Sequence, residues 1–237
     1  MQMNMQTRPC SRQRGLSLLE ALLTTALLLA MLGGVARLLS DARDSLHAAR
    51  AAERLQSFQT AAAEYLLAHR EPILDAMTTG NNGGQWCRMD LLPDGSGGTP
   101  SFDTTRRTCR IDATLLKAKG LLPPGHPGTT VQGETLVAIF RRVVQGSQLT
   151  GHVEMLMLAT YAGTAAHVPD DRRYLRSVAA SERLGASGGW VPDRDRGTCR
   201  AVRASSTYEV CGPGWKLDLR DFLTPGEIAS FRTLLPQ

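Results

Sequence analysis

At 237 residues the chain is long enough to bury one ordinary core and carry an appendage, and too short for two large independent domains. Apolar residues at 42% and charged residues at 21% exclude disorder throughout, while sparse aromatics and 23 glycines point to a domain with many turns. The formal charge of +5 falls to +2 once Arg8, Arg12 and Arg14 are set aside, so the body of the chain offers no electrostatic ground for a nucleic-acid partner.

Those three arginines lie among the first fifteen residues, which hold no acid, and an apolar run follows from Leu16 to Leu39. Only small residues, hydroxyls, Glu20 and Arg37 interrupt it. The run is long enough to cross a bilayer, which takes about 20 residues, and basic residues ahead of it predict a cytoplasmic N-terminus. An ordinary secretory signal peptide shares the basic start and apolar core. Two features count against that alternative. No small-x-small cleavage site follows the run, since Gly33-Gly34-Val35-Ala36 leads straight into a helical continuation, and Glu20 places a carboxylate where lipid makes it costly. A generic single-span anchor, with Glu20 near the interface, is the other plain alternative.

The stretch Arg14-Gly15-Leu16-Ser17-Leu18-Leu19-Glu20 resembles the start of type IV pilins and pseudopilins. The resemblance implies cleavage by a prepilin peptidase between Gly15 and Leu16, and N-methylation of Leu16 as the new N-terminus. It makes Glu20 the fifth mature residue, where the family carries its glutamate. A carboxylate paired with the terminal ammonium of a neighbouring subunit offsets the desolvation of both charges, so Glu20 is expected to set the register of filament assembly.

Beyond Arg37, apolar residues recur at steps of three or four through Leu39, Ala42, Leu46, Ala49, Ala52, Leu55, Phe58, Ala62 and Tyr65. Pro72 predicts an end near Arg70. Residues 16–70 then form a spine helix roughly 80 Å long at 1.5 Å per residue, its second half packed on a head formed by residues 71–237. A coiled coil is the alternative partner for that half.

In the head, residues 78–108 are rich in Gly, Asn, Ser and Pro and read as a long irregular loop. Cys10 belongs to the leader, residues 1–15, which leaves Cys87, Cys109, Cys199 and Cys211 in two local couples. Disulfides Cys87–Cys109 and Cys199–Cys211 in an oxidising compartment are expected; a zinc site competes, without C-x-x-C spacing to support it. Asp112 to Lys119, stopped by Gly120, reads as a short capped helix. Glu134–Val144 and His152–Tyr161 read as strands of a hairpin across Gln145–Gln148. Asp170–Leu184 reads as a helix, Ser187–Trp190 as a turn with a packed aromatic, and Tyr208–Leu219 as a strand region. Thr224-Pro225-Gly226-Glu227 has the pattern of a helix start. The fold class expected is α+β, a long helical spine against a small antiparallel sheet with disulfides.

The segment from Cys109 to Pro123 is similar to type IVb minor pilins of the PilV kind, which carry the constant region of shufflon-encoded adhesins of conjugative pili. That resemblance implies a minor or tip subunit of an extracellular pilus, residing in the bacterial inner membrane before assembly. Its partners would be other pilin subunits, the prepilin peptidase, the inner-membrane assembly machinery and a cell-surface receptor, with no nucleic acid. A type II secretion pseudopilin is the nearest alternative, and a membrane-anchored periplasmic enzyme a more distant one. No enzyme, cofactor or metal is expected. His126, His152 and His167 lack helical pairing with Glu154, Asp170 or Asp171, and nucleotide-binding and Gly-x-Ser-x-Gly patterns are missing.

Overall fold

A computed structural model describes residues 18–131, 133–160, 171–192, 197, 199, 209–218 and 228–234. Helix α1 runs unbroken from Leu18 to Ala68, 51 residues without proline. Two compact units divide within it, residues 1–43 and residues 44–237, so the C-terminal part of the helix belongs with the head.

In the second unit the helix buries one face. Ala48, Ala51, Leu55, Phe58, Ala62, Tyr65 and Leu66 are inaccessible or nearly so. Burial begins at Ala48: Leu39, Ala42 and Leu46 lie on the periodic stripe but are exposed, because periodicity marks a face without saying how far a partner extends along it. Against the buried face stands the hairpin of β5 (Thr135–Gln145) and β6 (Gln148–Thr160), joined by Gly146-Ser147 with Gln145 opposite Gln148. Gly146 supplies the positive φ of that two-residue turn, +63°. Strand alternation is clean. Leu136, Ala138, Phe140, Met155, Met157 and Ala159 point into the helix-side core, and Val137, Ile139, Leu156 and Leu158 into a second core on the opposite face. A two-faced core needs strands apolar at nearly every position, which these are over residues 136–140 and 155–159.

The helix ends at Ala68, close to the expected end near Arg70, but the proline is not the cause. His69 interrupts it (φ −125°, ψ 32°), and α2 then runs Arg70–Thr79 with Pro72 in its first turn, where a missing N–H costs no helical bond. The expected irregular loop is also corrected. It contains α3 (Gly83–Trp86), β1 (Arg88–Leu91), β2 (Gly97–Pro100) and β3 (Phe102–Asp103). Glycine here serves pairing as well as turning: Gly98 has φ +81°, and a Cβ there would sit 2.8 Å from the Met89 carbonyl on the paired strand.

Strand β4 (Thr108–Asp112) lies between β3 and β5, and α4 (Ala113–Ala118) follows it directly. Helix α5 (Asp171–Arg183) leads through a 3₁₀ turn to β7 (Gly188–Trp190), then β8 (Glu209–Gly212), β9 (Trp215–Asp218) and β10 (Ile228–Leu234). The larger sheet has the order β3-β4-β5-β6-β10-β7-β8-β9, and each of its neighbouring pairs is antiparallel. Two expectations fail here. Residues 188–190 form a strand, and a Cβ at Gly189 would overlap the Trp215 ring. The final element is likewise a strand where a helix start is written in Thr224–Glu227, residues outside those described. Ile228–Leu234 completes the sheet between β6 and β7, from Ala229 opposite Leu158 to Leu234 opposite Val153. Ladder pairing on both sides outweighs a local capping signal.

Both disulfides form as the local couples suggest, Cys87–Cys109 and Cys199–Cys211, with Cα separations of 5.2 and 6.0 Å. Asp112 is the polar counterpart of the first. Its Oδ1 accepts from the Thr114 and Leu115 amides and the Thr114 hydroxyl, and its Oδ2 accepts from the Asp90 amide. One buried carboxylate thus caps α4 and ties β1 to it. Replacing Asp112 by Ala strands three amides; a stability loss of about 2–3 kcal/mol is expected in denaturant unfolding of the full chain. An unchanged unfolding midpoint would remove this role.

Candidate functional site

The first unit presents an unusual surface. From Leu19 to Leu39, eleven large apolar side chains are 54–70% exposed, and an 18-residue window of this helix reaches a mean hydropathy of 2.0 with none of it buried. At roughly 1.5–3 kcal/mol for a large apolar side chain moved wholly out of water, covering eleven that are a little over half exposed would contribute on the order of 10–20 kcal/mol. Such a surface is suited to contact with lipid or with apolar protein. By length and composition it is able to span a membrane.

Its polar groups are handled locally. Thr24 and Thr25 donate their hydroxyls to carbonyls three and four residues back, at 2.9–3.0 Å, so neither needs an external partner. Glu20 lies in the first turn, exposed, where the helix dipole favours negative charge. Gly33 and Gly34 sit within the helix with nothing near where a Cβ would be, at about 1 kcal/mol each relative to alanine. Gly15 and Leu16, the expected cleavage and methylation positions, fall outside the described residues.

Among the described residues of the head, several side chains of the kinds found in catalytic or metal sites have other partners. His126 accepts from the Gly128 amide at Nδ1, so the proton is assigned to Nε2, which donates to Ser57 Oγ at 3.2 Å. Ser57 in turn gives its own proton to the Arg54 carbonyl. In this arrangement the imidazole is a donor to the hydroxyl, the reverse of a general base acting on a nucleophile. Glu154 is bound by Arg141 across the β5–β6 pair, and His167 and Asp170 lie outside the described residues. Cys199, Cys211 and Glu209 cluster, but the two sulfurs are bonded to each other and Glu209 pairs with Lys216 at 2.8 Å.

Two features had no sequence signal. Glu134 is fully buried, with Oε2 accepting from Thr130 Oγ1 and Oε1 lacking a hydrogen bond. His69 lies between the Tyr65 and Trp86 rings, at centroid distances of 4.9 and 4.7 Å, with Lys119 beyond Trp86. Both are made by residues distant in the chain or by loop closure, which composition does not reveal.

Comparison with protein-family profiles, with curated proteins and with solved structures gives no match for this chain.

Burial, and then the charges of Lys117 and Arg54, hold the His126 pKa below its ordinary value. A histidine favoured neutral in the fold contributes stability above the unfolded pKa of about 6.5 and loses it as pH falls. The melting temperature should therefore drop on acidification below that point, with a shallower drop in His126→Asn. Identical pH profiles for the two proteins would show that His126 contributes nothing to it.

Proposed function

We propose that this chain is a type IV prepilin-like subunit of an extracytoplasmic filament, most like the type IVb minor pilins of the PilV kind. The observation that carries the reading is the exposed apolar half of α1, with a carboxylate in its first turn, five residues after Gly15. A membrane accommodates that surface before assembly, and a bundle of equivalent helices accommodates it afterwards. In such a bundle Gly33 and Gly34 let neighbouring backbones approach closely.

The mechanism is one of transfer between two apolar surroundings. The prepilin peptidase cuts after Gly15 and frees the Leu16 ammonium. Glu20 of an incoming subunit pairs with such an ammonium, and the pairing removes the cost of two separate charges in an apolar medium. Only one axial offset between subunits satisfies it. The disulfide-bonded head is carried outside as a preformed body, and it offers the surface to a receptor or to other subunits. The role is structural and adhesive rather than catalytic.

In cells carrying a prepilin peptidase, Gly15→Ala should leave the full-length precursor, visible as a missing downward shift on a gel. Mass spectrometry of the processed protein should find N-methyl-leucine at Leu16. Normal processing of Gly15→Ala would sink the cleavage assignment. Glu20→Ala should insert in the membrane at wild-type level yet be depleted about tenfold or more from sheared filaments, the loss of a charge-assisted pair. Wild-type incorporation would refute the register role.

A further inference from the structure

Between α3, β1, the β1–β2 turn and α4 lies an open cleft of about 540 Å³, lined by Gln85, Arg88, Asp94 and Lys119 with Leu91 and Leu115 as its apolar wall. A volume of this size is within the range of small-molecule sites.

The walls are held from several sides. The Cys87–Cys109 disulfide anchors the residue before Arg88. Asp112 caps α4 and binds the Asp90 amide, and the Leu91 amide donates to Thr114 Oγ1 at 2.8 Å. Arg88 Nη2 donates to the Gly98 carbonyl at 3.2 Å, and Lys119 Nζ stands 5.3 Å from the Trp86 ring centroid. A site with both cations tethered loses less entropy on binding.

The charge balance of the cleft is incomplete. Arg141, Arg176 and Lys216 each have a carboxylate partner, whereas among the described residues neither Arg88 nor Lys119 has one. Arg88 is half-buried, and its Nε is sealed from solvent without an acceptor. Asp94, the one acid in the lining, accepts from the Ser96 hydroxyl and amide at Oδ1, at 2.7 and 2.9 Å, which lower its pKa and keep it ionised, so the lining carries two cations against one anion. A partly desolvated guanidinium without a counter-ion is costly, and an anion seated beside it offsets that cost.

We propose that this cleft binds an acidic saccharide, its carboxylate or phosphate held between Arg88 and Lys119. Gln85 in the lining offers a side-chain amide to hydroxyls, and Leu91 and Leu115 offer an apolar wall to the C–H face of a ring. The site does not depend on filament assembly, so either proposal stands if the other fails.

The test uses the full chain in a polyoxyethylene detergent, which carries no sugar, and isothermal titration with digalacturonate, glucose 1-phosphate, lactose and inorganic phosphate. At least one of the two acidic sugars should bind, at least tenfold more tightly than lactose and inorganic phosphate, and which one binds separates carboxylate from phosphate. Lys119→Gln and Arg88→Lys should each weaken that binding about tenfold, the loss of one charge-assisted contact. Lys119 is exposed, so its variant should keep the wild-type melting temperature. The proposal is overturned if neither acidic sugar binds, if lactose or inorganic phosphate binds as tightly, or if Lys119→Gln leaves the affinity unchanged.

Discussion

The contact between the second half of α1 and the β5–β6 hairpin is what the rest of the head is built on. Alanines at 48, 51, 61 and 62 share one buried cluster with Leu55, Phe58 and Tyr65 of the helix and Leu136, Ala138, Phe140, Met155 and Met157 of the hairpin. Mixed large and small residues on one face are what packing a helix on a twisted sheet at interior density requires. The same two strands also carry the second core on their opposite face through Val137, Ile139, Leu156 and Leu158. Both layers are therefore organised around one hairpin, and β10, β7, β8 and β9 extend the sheet from its β6 side.

The other half of α1 obeys the opposite constraint. It has the regularity of the buried half, and among the described residues its large apolar side chains are exposed. A helix whose two halves differ in this way has one half long and apolar enough to cross a membrane and the other buried in a folded domain. Its threonines return their hydroxyls to the backbone, so Glu20 and Arg37 are the charged groups between Leu19 and Leu39. The proposed filament role draws on that scarcity, because a carboxylate in an apolar segment is costly in lipid.

The glycine-rich region shows how a loop-like composition becomes a defined surface. Its strands are short, and a disulfide with the Asp112 hydrogen bonds supplies the order that apolar burial alone would not. The outcome is a cleft whose two cations are tethered by the fold and have no ion-pair partner among the described residues, a different kind of surface from the apolar helix.

Much of the protein was determined by the sequence alone, wherever the signal is local. The apolar run from Leu16, the 3.6-residue periodicity as far as Tyr65, the two cysteine couples, the Asp112 cap and the turn at Gly146-Ser147 each depend on neighbours within a few residues or on a simple period. They set the α+β class and both disulfides. Tertiary structure decided the rest, for reasons of contact between distant segments. It made a strand of residues 228–234 by offering β6 and β7 as partners, began the buried face at Ala48, and joined Tyr65, His69, Trp86 and Lys119 in one column. It also left Arg88 and Lys119 around a common cleft, since charge pairing depends on which side chains meet in space rather than on their order in the chain.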